Sequence, residues 1–417
     1  MTASVHHSRL LIPIVLGSLA MIGPFAIDTI FPAFPAIEDD LSVSRVAMQQ
    51  TISVYLLAYA FGSIFQGPMS DSWGRRPVIL AGLAIFGLAS LGAAFAHSFT
   101  MLLVWRGVQG ASAGVGMVVG RAIIRDLYEG DDAQRLMSHV TMIFGIAPAI
   151  APVIGGWILP WADWHGIFWF LVGFTLLLMV MTAFGLPETQ PPARRYPMHP
   201  ASLLRNYVAI LRNGRFVLLC VCGGFNFGAI FLYISSAPAF VLDILKLNEQ
   251  QFAWFFVPTI AGIVFGSFLN GRLAGRFSGR RTVNLGFLLC GIAATGNLLY
   301  NLLIEQPTAP WAVLPVMLNA IGVALVFPLL TLAMLDMYPR QRGAAASMQA
   351  FIGLGFNAVI AGVIAPLAQH STLALMLTAG GFSLAAWALW RLYLFHRRED
   401  PLPVDTESVT PGPAERV

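Results

Sequence analysis

The sequence predicts an all-α membrane protein with twelve transmembrane helices in two pseudo-symmetric six-helix bundles. Three observations carry that expectation. First, 57% of the 417 residues are hydrophobic and 11% are charged, whereas a soluble domain carries roughly 25% charged residues. Second, twelve apolar runs are long enough to cross a bilayer, where only helices satisfy their own backbone hydrogen bonds over such lengths. Third, the chain repeats itself at half its length. Gly67-x3-Asp71-x2-Gly74-Arg75-Arg76, a charged turn between two apolar runs, returns in degenerate form 204 residues later from Gly271 to Arg281. Asp126-Leu127-Tyr128 returns 210 residues later as Asp336-Met337-Tyr338.

The runs lie near residues 10–30, 46–68, 77–96, 99–120, 138–159, 166–186, 216–241, 251–271, 282–304, 311–335, 345–367 and 373–390. The first is too long for the apolar region of a signal peptide, so it counts as a spanning helix. Twelve spans put both termini on one side. Of the 24 lysines and arginines, 21 fall in the gaps on that side; Arg45 and Lys246 fall opposite and Arg106 lies within a span. The bias assigns both termini to the cytoplasm. The opposite gaps carry Glu38, Asp39, Asp40, Asp163, Asp243, Glu249 and Glu305.

The gap over 187–215 separates an N-terminal bundle, 1–186, from a C-terminal bundle, 216–394. It opens as a proline-rich linker. It then places Leu203, Leu204, Tyr207 and Leu211 on one helical face, which suits a helix lying in the membrane interface. Residues 395–417 read as a disordered tail.

Several function classes are excluded. The pI near 9.1 comes from dispersed arginines rather than a basic stripe, so no nucleic-acid partner is expected. Cys220, Cys222 and Cys290 have no metal-ligand spacing, and no metal site is expected. Gly110-Ala-Ser112-Ala-Gly114 fits a hydrolase pattern, but it lies in mid-span without the strand–turn–helix such a nucleophile needs. The chain has no phosphate-cradling or zinc-protease motif, and its one lysine is Lys246; no enzyme and no cofactor are expected.

One acid and one arginine lie within spans. Arg106 in the fourth costs several kcal/mol in lipid, so it faces a partner or a wet cavity; about 10 Å from a helix end, it has snorkelling as its alternative. Asp28 is the only acid inside a predicted span, at about the depth of Arg106. Desolvation raises a carboxyl pKa and a nearby cation lowers it, an opposition that suits a proton competing with a substrate. The alternative for Asp28 is an acid capping a kinked helix end. Pro148, Pro152, Gly155 and Gly156 bend the fifth span and allow close helix approach. Tyr55, Gln109, Asn226 and Tyr233 are candidates to line a cavity, with interhelical packing as the alternative.

These stretches resemble the Major Facilitator Superfamily. The Gly67–Arg76 turn resembles its loop between helices 2 and 3. Leu102-x3-Arg106-x2-Gln109-Gly110 is similar to its proton-coupling motif on helix 4. Ala151-Pro152-x2-Gly155-Gly156 is similar to the antiporter motif G-P-x2-G-G, with Ala151 in place of the first glycine. Asp28-x3-Pro32-x2-Pro35, Gly120–Tyr128, Leu186-Pro187-Glu188-Thr189 and Asn206–Phe216 resemble the bicyclomycin/chloramphenicol-resistance branch. The resemblance implies a monomeric, proton-driven drug exporter in a bacterial inner membrane, surrounded by lipid. Its substrates would be small amphipathic compounds such as bicyclomycin- or chloramphenicol-like antibiotics. The alternative is an exporter or importer of a small metabolite, such as an amino acid or sugar. It also implies proton coupling by Asp28 and Arg106, a cavity bordered by the first, fourth and seventh helices, and a conformational latch in Gly67, Asp71, Gly74, Arg75 and Arg76. The Asp71 carboxylate would face the start of the eleventh helix, near residues 344–347.

Overall fold

A computed structural model describes residues 4–128, 130–195, 200–274, 276–338 and 342–398. Among these residues there is no strand. Twelve helices are long and apolar enough to span a membrane: α1 (Leu11–Asp40), α2 (Arg45–Trp73), α3 (Arg75–Ala94), α4 (Phe99–Ile124), α5 (Ile143–Ala162), α6 (His165–Gly185), α7 (Gly214–Ser235), α8 (Glu249–Leu273), α9 (Gly279–Leu303), α10 (Leu314–Asp336), α11 (Gly343–Ala368) and α12 (Thr372–His396). A linker helix, Pro200–Leu211, precedes α7. The expected tail is described only as far as Arg398, as part of the last helix; the remainder of 395–417 lies outside the described residues.

Eleven spans lie close to their expected positions; α1 instead continues ten residues past Ile30. From Ile22 onward it is a broken helix: Ile22–Asp28, then a 3-10 turn Phe31–Ala33, then Phe34–Asp40. The cause is Pro32, which has no N–H for the carbonyl of Asp28, four residues earlier. The chain bends there without leaving the bundle: Phe31, Phe34 and Ile37 are all buried.

The internal repeat has a packing counterpart. In the first half, a Cβ at Gly62 on α2 would strike the Ala111 carbonyl on α4. Shifted by 204 and 210 residues, those positions are Gly266 on α8 and Ile321 on α10, where a Cβ at Gly266 would meet the Ile321 carbonyl at 2.7 Å. Likewise Gly82 lies against Val115, and Gly286 against Leu325. Small residues let helices approach where lipid supplies no hydrophobic drive between them.

The halves meet through α2 against α11 and α5 against α8. One apolar core fills the first half and continues into the part of the second half nearest the acid-bearing face, the membrane face opposite the arginines. A separate core, at the arginine-rich face, joins α7, α9, α10, α11, α12 and the linker helix. At the acid-bearing face polar ties seal the junction. Arg45 pairs with Asp243 across the halves and with Glu38 at 3.4 Å. Gln49 Nε2 donates to Gln369 Oε1 at 3.1 Å, Gln50 Nε2 to the Gly362 carbonyl at 2.9 Å and Ser53 Oγ to the Ala358 carbonyl at 2.8 Å. Gly362 lies in a π-helical turn, Ile360–Ile364, where the widened ladder leaves carbonyls available.

Replacing Gly110 on α4, whose Cβ would strike the Tyr55 carbonyl, or Gly266 by valine should lower the melting temperature in detergent by several degrees, since overpacking costs about 1–3 kcal/mol. Gly291→Ala, with no atom within 4 Å of the added carbon, should melt like the parent.

Candidate functional site: a buried charged layer and a face-side latch

The first half contains a polar layer organised by Arg106. This side chain is 0% exposed, so the snorkelling alternative does not describe it. Nη1 donates to the Ala26 carbonyl on α1 at 2.8 Å and to Gln109 Oε1 at 2.9 Å; Nε donates to the Thr51 carbonyl on α2 at 3.3 Å. The guanidinium lies 4.5 Å from the Tyr55 ring centroid, a cation–π geometry. Gln109 Nε2 donates onward to Ser90 Oγ on α3 at 2.8 Å. The break in α1 helps here: carbonyls at the end of a helical segment lack partners and carry its negative dipole end, which suits a cation.

Asp28 is two residues beyond Ala26 and almost wholly buried. No ion pair joins it to Arg106, and it makes no hydrogen bond with a described residue. The two expected coupling residues therefore share a region without direct contact.

The other expected cavity residues lie inside bundles. Gln109 is committed to Arg106 and Ser90. Tyr233 accepts from Asn297 Nδ2 on α9 at 2.8 Å and lines a small cavity with Asn319 and Met376. Asn226 shares its helix face, near Cys222, which donates to the Ala386 carbonyl on α12. Tyr233 thus points into the C-terminal bundle rather than between the halves, whereas the buried amide of Asn226 has no hydrogen-bond partner among the described residues. Helical position alone could not separate these directions, because α7 is buried around most of its circumference.

The antiporter-like segment lies between helices. A Cβ at Gly155 would strike the Thr29 carbonyl of α1, and one at Gly156 the Glu249 backbone at the start of α8. Pro148 and Pro152 lie inside a continuous helix, Gly130–Ala162. The segment is thus a seam joining α1, α5 and α8 near the acid-bearing face.

At the arginine-rich face, the α2–α3 turn depends on residues that the sequence reading did not assign a role. Gly74 adopts φ +104°, which only glycine takes readily. Glu188, just after α6, accepts from the backbone N–H of Arg75 at 3.0 Å and of Arg76 at 3.3 Å, capping the start of α3 with an anion. Arg75 Nε donates to Asp126 Oδ2 at 3.0 Å and Nη1 to Ser70 Oγ at 2.6 Å, and Thr189 Oγ1 also donates to Asp126 at 2.7 Å. Arg76 donates to the Ala183 carbonyl. Gly67 lies against Val118 of α4. Asp71 pairs with Arg75 at 2.5 Å and is half exposed; it makes no hydrogen bond or ion pair to the expected 344–347 segment. A usable signal for Glu188 was an acid directly after a span, facing a turn with free helix N–H groups.

The linker helix also reaches both halves. Tyr207 Oη donates to the Ile64 carbonyl of α2 at 3.1 Å, and Ser347 of α11 is its other hydrogen-bonding neighbour. Burial pushes this phenol above its ordinary pKa, so it remains a neutral donor at physiological pH.

Comparison with known proteins matches this architecture. The chain is 28% identical over 380 residues to a bicyclomycin resistance protein homolog of Haemophilus influenzae, covering 88% of this chain and 92% of the relative. It is 30% identical over 385 residues to multidrug resistance protein D of Escherichia coli, covering 91% and 95%. An uncharacterised MFS-type transporter of Bacillus subtilis is 32% identical over 362 residues, covering 86% and 88%. Among solved structures, a D-xylose-proton symporter superposes with a TM-score of 0.73 at 14% identity, over 92% of this chain and 97% of that one. A sequence model described as Major Facilitator Superfamily matches residues 16–356. With that match spanning most of the chain, and twelve helices in two like-packed halves, this multi-pass membrane protein belongs to the Major Facilitator Superfamily.

Proposed function

We propose that this transporter is a proton-driven exporter of small amphipathic drugs, of the bicyclomycin- or chloramphenicol-like kind, in a bacterial inner membrane with its arginine-rich face in the cytoplasm. The observation that carries the reading is Asp28: a lone carboxyl enclosed within a span, beside but not paired with Arg106. Burial disfavours a charged carboxylate and hydration favours it. A group alternately enclosed and opened to water therefore takes up and releases a proton as the halves move. The names of the relatives support a drug as the cargo. Among the described residues, Arg106 and Asp28 are the charges in the layer, which suits a neutral or mildly cationic substrate.

The cycle follows from the two faces. The halves share a core and polar ties at the acid-bearing face, so this state is closed outward. At the arginine-rich face their cores are separate, and Asp71 remains with Arg75. In the opposite state, Asp71 reaches the free N–H groups at the start of α11 and holds the cytoplasmic side shut. Arg75, anchored by Asp126 and Ser70, keeps Asp71 in position.

One charge moving through 100 mV yields about 2.3 kcal/mol, and half a pH unit adds roughly 0.7. One proton and one net charge per cycle then sustain about a hundredfold drug gradient. In proteoliposomes, uphill drug transport should follow an imposed pH difference and collapse with a protonophore. Persistence with the protonophore and ATP present would refute proton drive. Asp28→Asn should abolish uphill transport while leaving drug exchange; full resistance conferred by this variant at neutral and alkaline pH would overturn the assignment.

Arg106→Lys should fail as well. An ammonium cannot reach Ala26, Thr51 and Gln109 together, and losing one charge-assisted bond lowers transport by about tenfold. Normal transport by Arg106→Ala would remove its role.

For the latch, Asp71→Asn and Glu188→Gln should both shift distances between labels at positions 72 and 346 toward the cytoplasm-open population, with drug affinity in each state unchanged. An unaltered distance distribution in a transport-defective Asp71→Asn protein would sink the mechanism.

A further inference from the structure

Within the buried layer, hydrogen-bonding capacity is left over in complementary form. The Tyr55 hydroxyl is buried without a partner, and so is Arg106 Nη2. Both are donors lacking an acceptor. Asp28 supplies an acceptor that makes no hydrogen bond or ion pair with a described residue. The three groups are neighbours through one short chain of contacts: Arg106 grips the carbonyl two residues before Asp28, and the same guanidinium lies over the Tyr55 ring. An unpaired buried polar group costs about 1–3 kcal/mol, so a state that joins these donors to this acceptor relieves several at once. The means of joining them is the break in α1, where the helical ladder is interrupted just after Asp28.

We infer that Tyr55 is the positioning residue for proton exchange: its hydroxyl, supported by Arg106 Nη2, receives the Asp28 carboxylate once the proton has left. The inference rests on the reading that Asp28 exchanges a proton. The balance is simple. The Asp28 carboxyl gives its proton to water, the resulting carboxylate accepts hydrogen bonds from the Tyr55 O–H and from Arg106, and Tyr55 keeps its proton throughout. On reprotonation the contact is lost and the carboxyl returns to its enclosed, unpaired position. Tyr55 thereby links the proton to α2, the helix that packs on α11 across the halves.

The other groups facing Asp28 leave this role to Tyr55. On α2, Tyr59 is edge-on to Tyr55 at 6.3 Å and lies against Gly23, more than a turn before Asp28. On α4 the charged side chain at this level is Arg106. α5 has no titratable residue between Gly145 and Ala162. α6 contributes only His165, at its far end beside Asp163. The acids of α1 itself, Glu38, Asp39 and Asp40, lie beyond the break.

The test needs no drug. Full-length protein in nanodiscs is titrated by infrared difference spectroscopy, and the protonated-carboxyl band is assigned to Asp28 by its loss in Asp28→Asn. In Tyr55→Phe the carboxylate loses a donor, so the midpoint of that band should move to higher pH by about one unit. Incorporating 3-fluorotyrosine at position 55 makes the donor more acidic and should move it to lower pH. Because the hydroxyl has no partner in this structure, Tyr55→Phe should melt at or above the parent temperature. A titrating Asp28 band whose midpoint ignores both replacements overturns the role of Tyr55 while leaving proton exchange intact. If Asp28→Asn removes no titrating band, proton exchange at Asp28 fails and this inference fails with it.

Discussion

A permanently charged guanidinium in the interior of a lipid-embedded bundle is the constraint around which the first half is arranged. Arg106 is closed off from the solvent-accessible surface, and no carboxylate among the described residues lies within ion-pair distance. Its charge is instead spread over two backbone carbonyls, a glutamine oxygen and an aromatic face. That solution draws in four helices: Ala26 from α1, Thr51 and Tyr55 from α2, Arg106 and Gln109 from α4, and through Gln109, Ser90 of α3. It also needs close approach. Gly110 allows α4 to lie on the Tyr55 carbonyl, and Gly62 allows α2 to lie on the Ala111 carbonyl. Any larger residue would widen the gap that the guanidinium bridges.

The second half repeats the packing without the charge. Shifting by 210 residues carries Gln109 to Asn319 and Arg106 to Val316. Asn319 lies against Cys290 of α9, much as Gln109 meets Ser90 of α3. Gln66 and Asn270, 204 residues apart, each donate to a carbonyl of the helix beside them, Ala111 and Ala324. The scaffold is thus twofold and the electrostatics are one-sided.

Helix ends and broken helices do the remaining work. The N-terminus of α3 takes the Glu188 carboxylate, which ties the segment after α6 to the α2–α3 turn. Gly74 is needed twice there: for its positive φ, and because a Cβ would come within 2.7 Å of that carboxylate. The break at Pro32 leaves Asp28 at the end of a short helical segment. The π turn in α11 releases the Gly362 carbonyl to Gln50. Each irregularity falls where the halves meet or where a charge is held, which is where a moving membrane protein can satisfy non-helical backbone.

The sequence by itself determined the number and type of spans, the sidedness of the charges and the twofold repeat, because length, hydropathy and arginine bias are properties of the chain in a bilayer. It also singled out Arg106, Asp28 and the Gly67–Arg76 turn, because ionisable groups in lipid and charged turns between spans are conspicuous. It did not show the direction in which polar side chains on fully buried helices point. Tyr233 turned into its own bundle, since neighbours surround α7 on nearly every side. Nor did it show that Arg106 and Asp28 avoid pairing, that Glu188 caps a helix more than a hundred residues earlier, or that Tyr207 ties the linker to α2. These outcomes depend on which donors and acceptors folding leaves unmatched at a given point in space. Only the tertiary structure decides that, because each such pair joins residues whose separation along the chain carries no periodic signal.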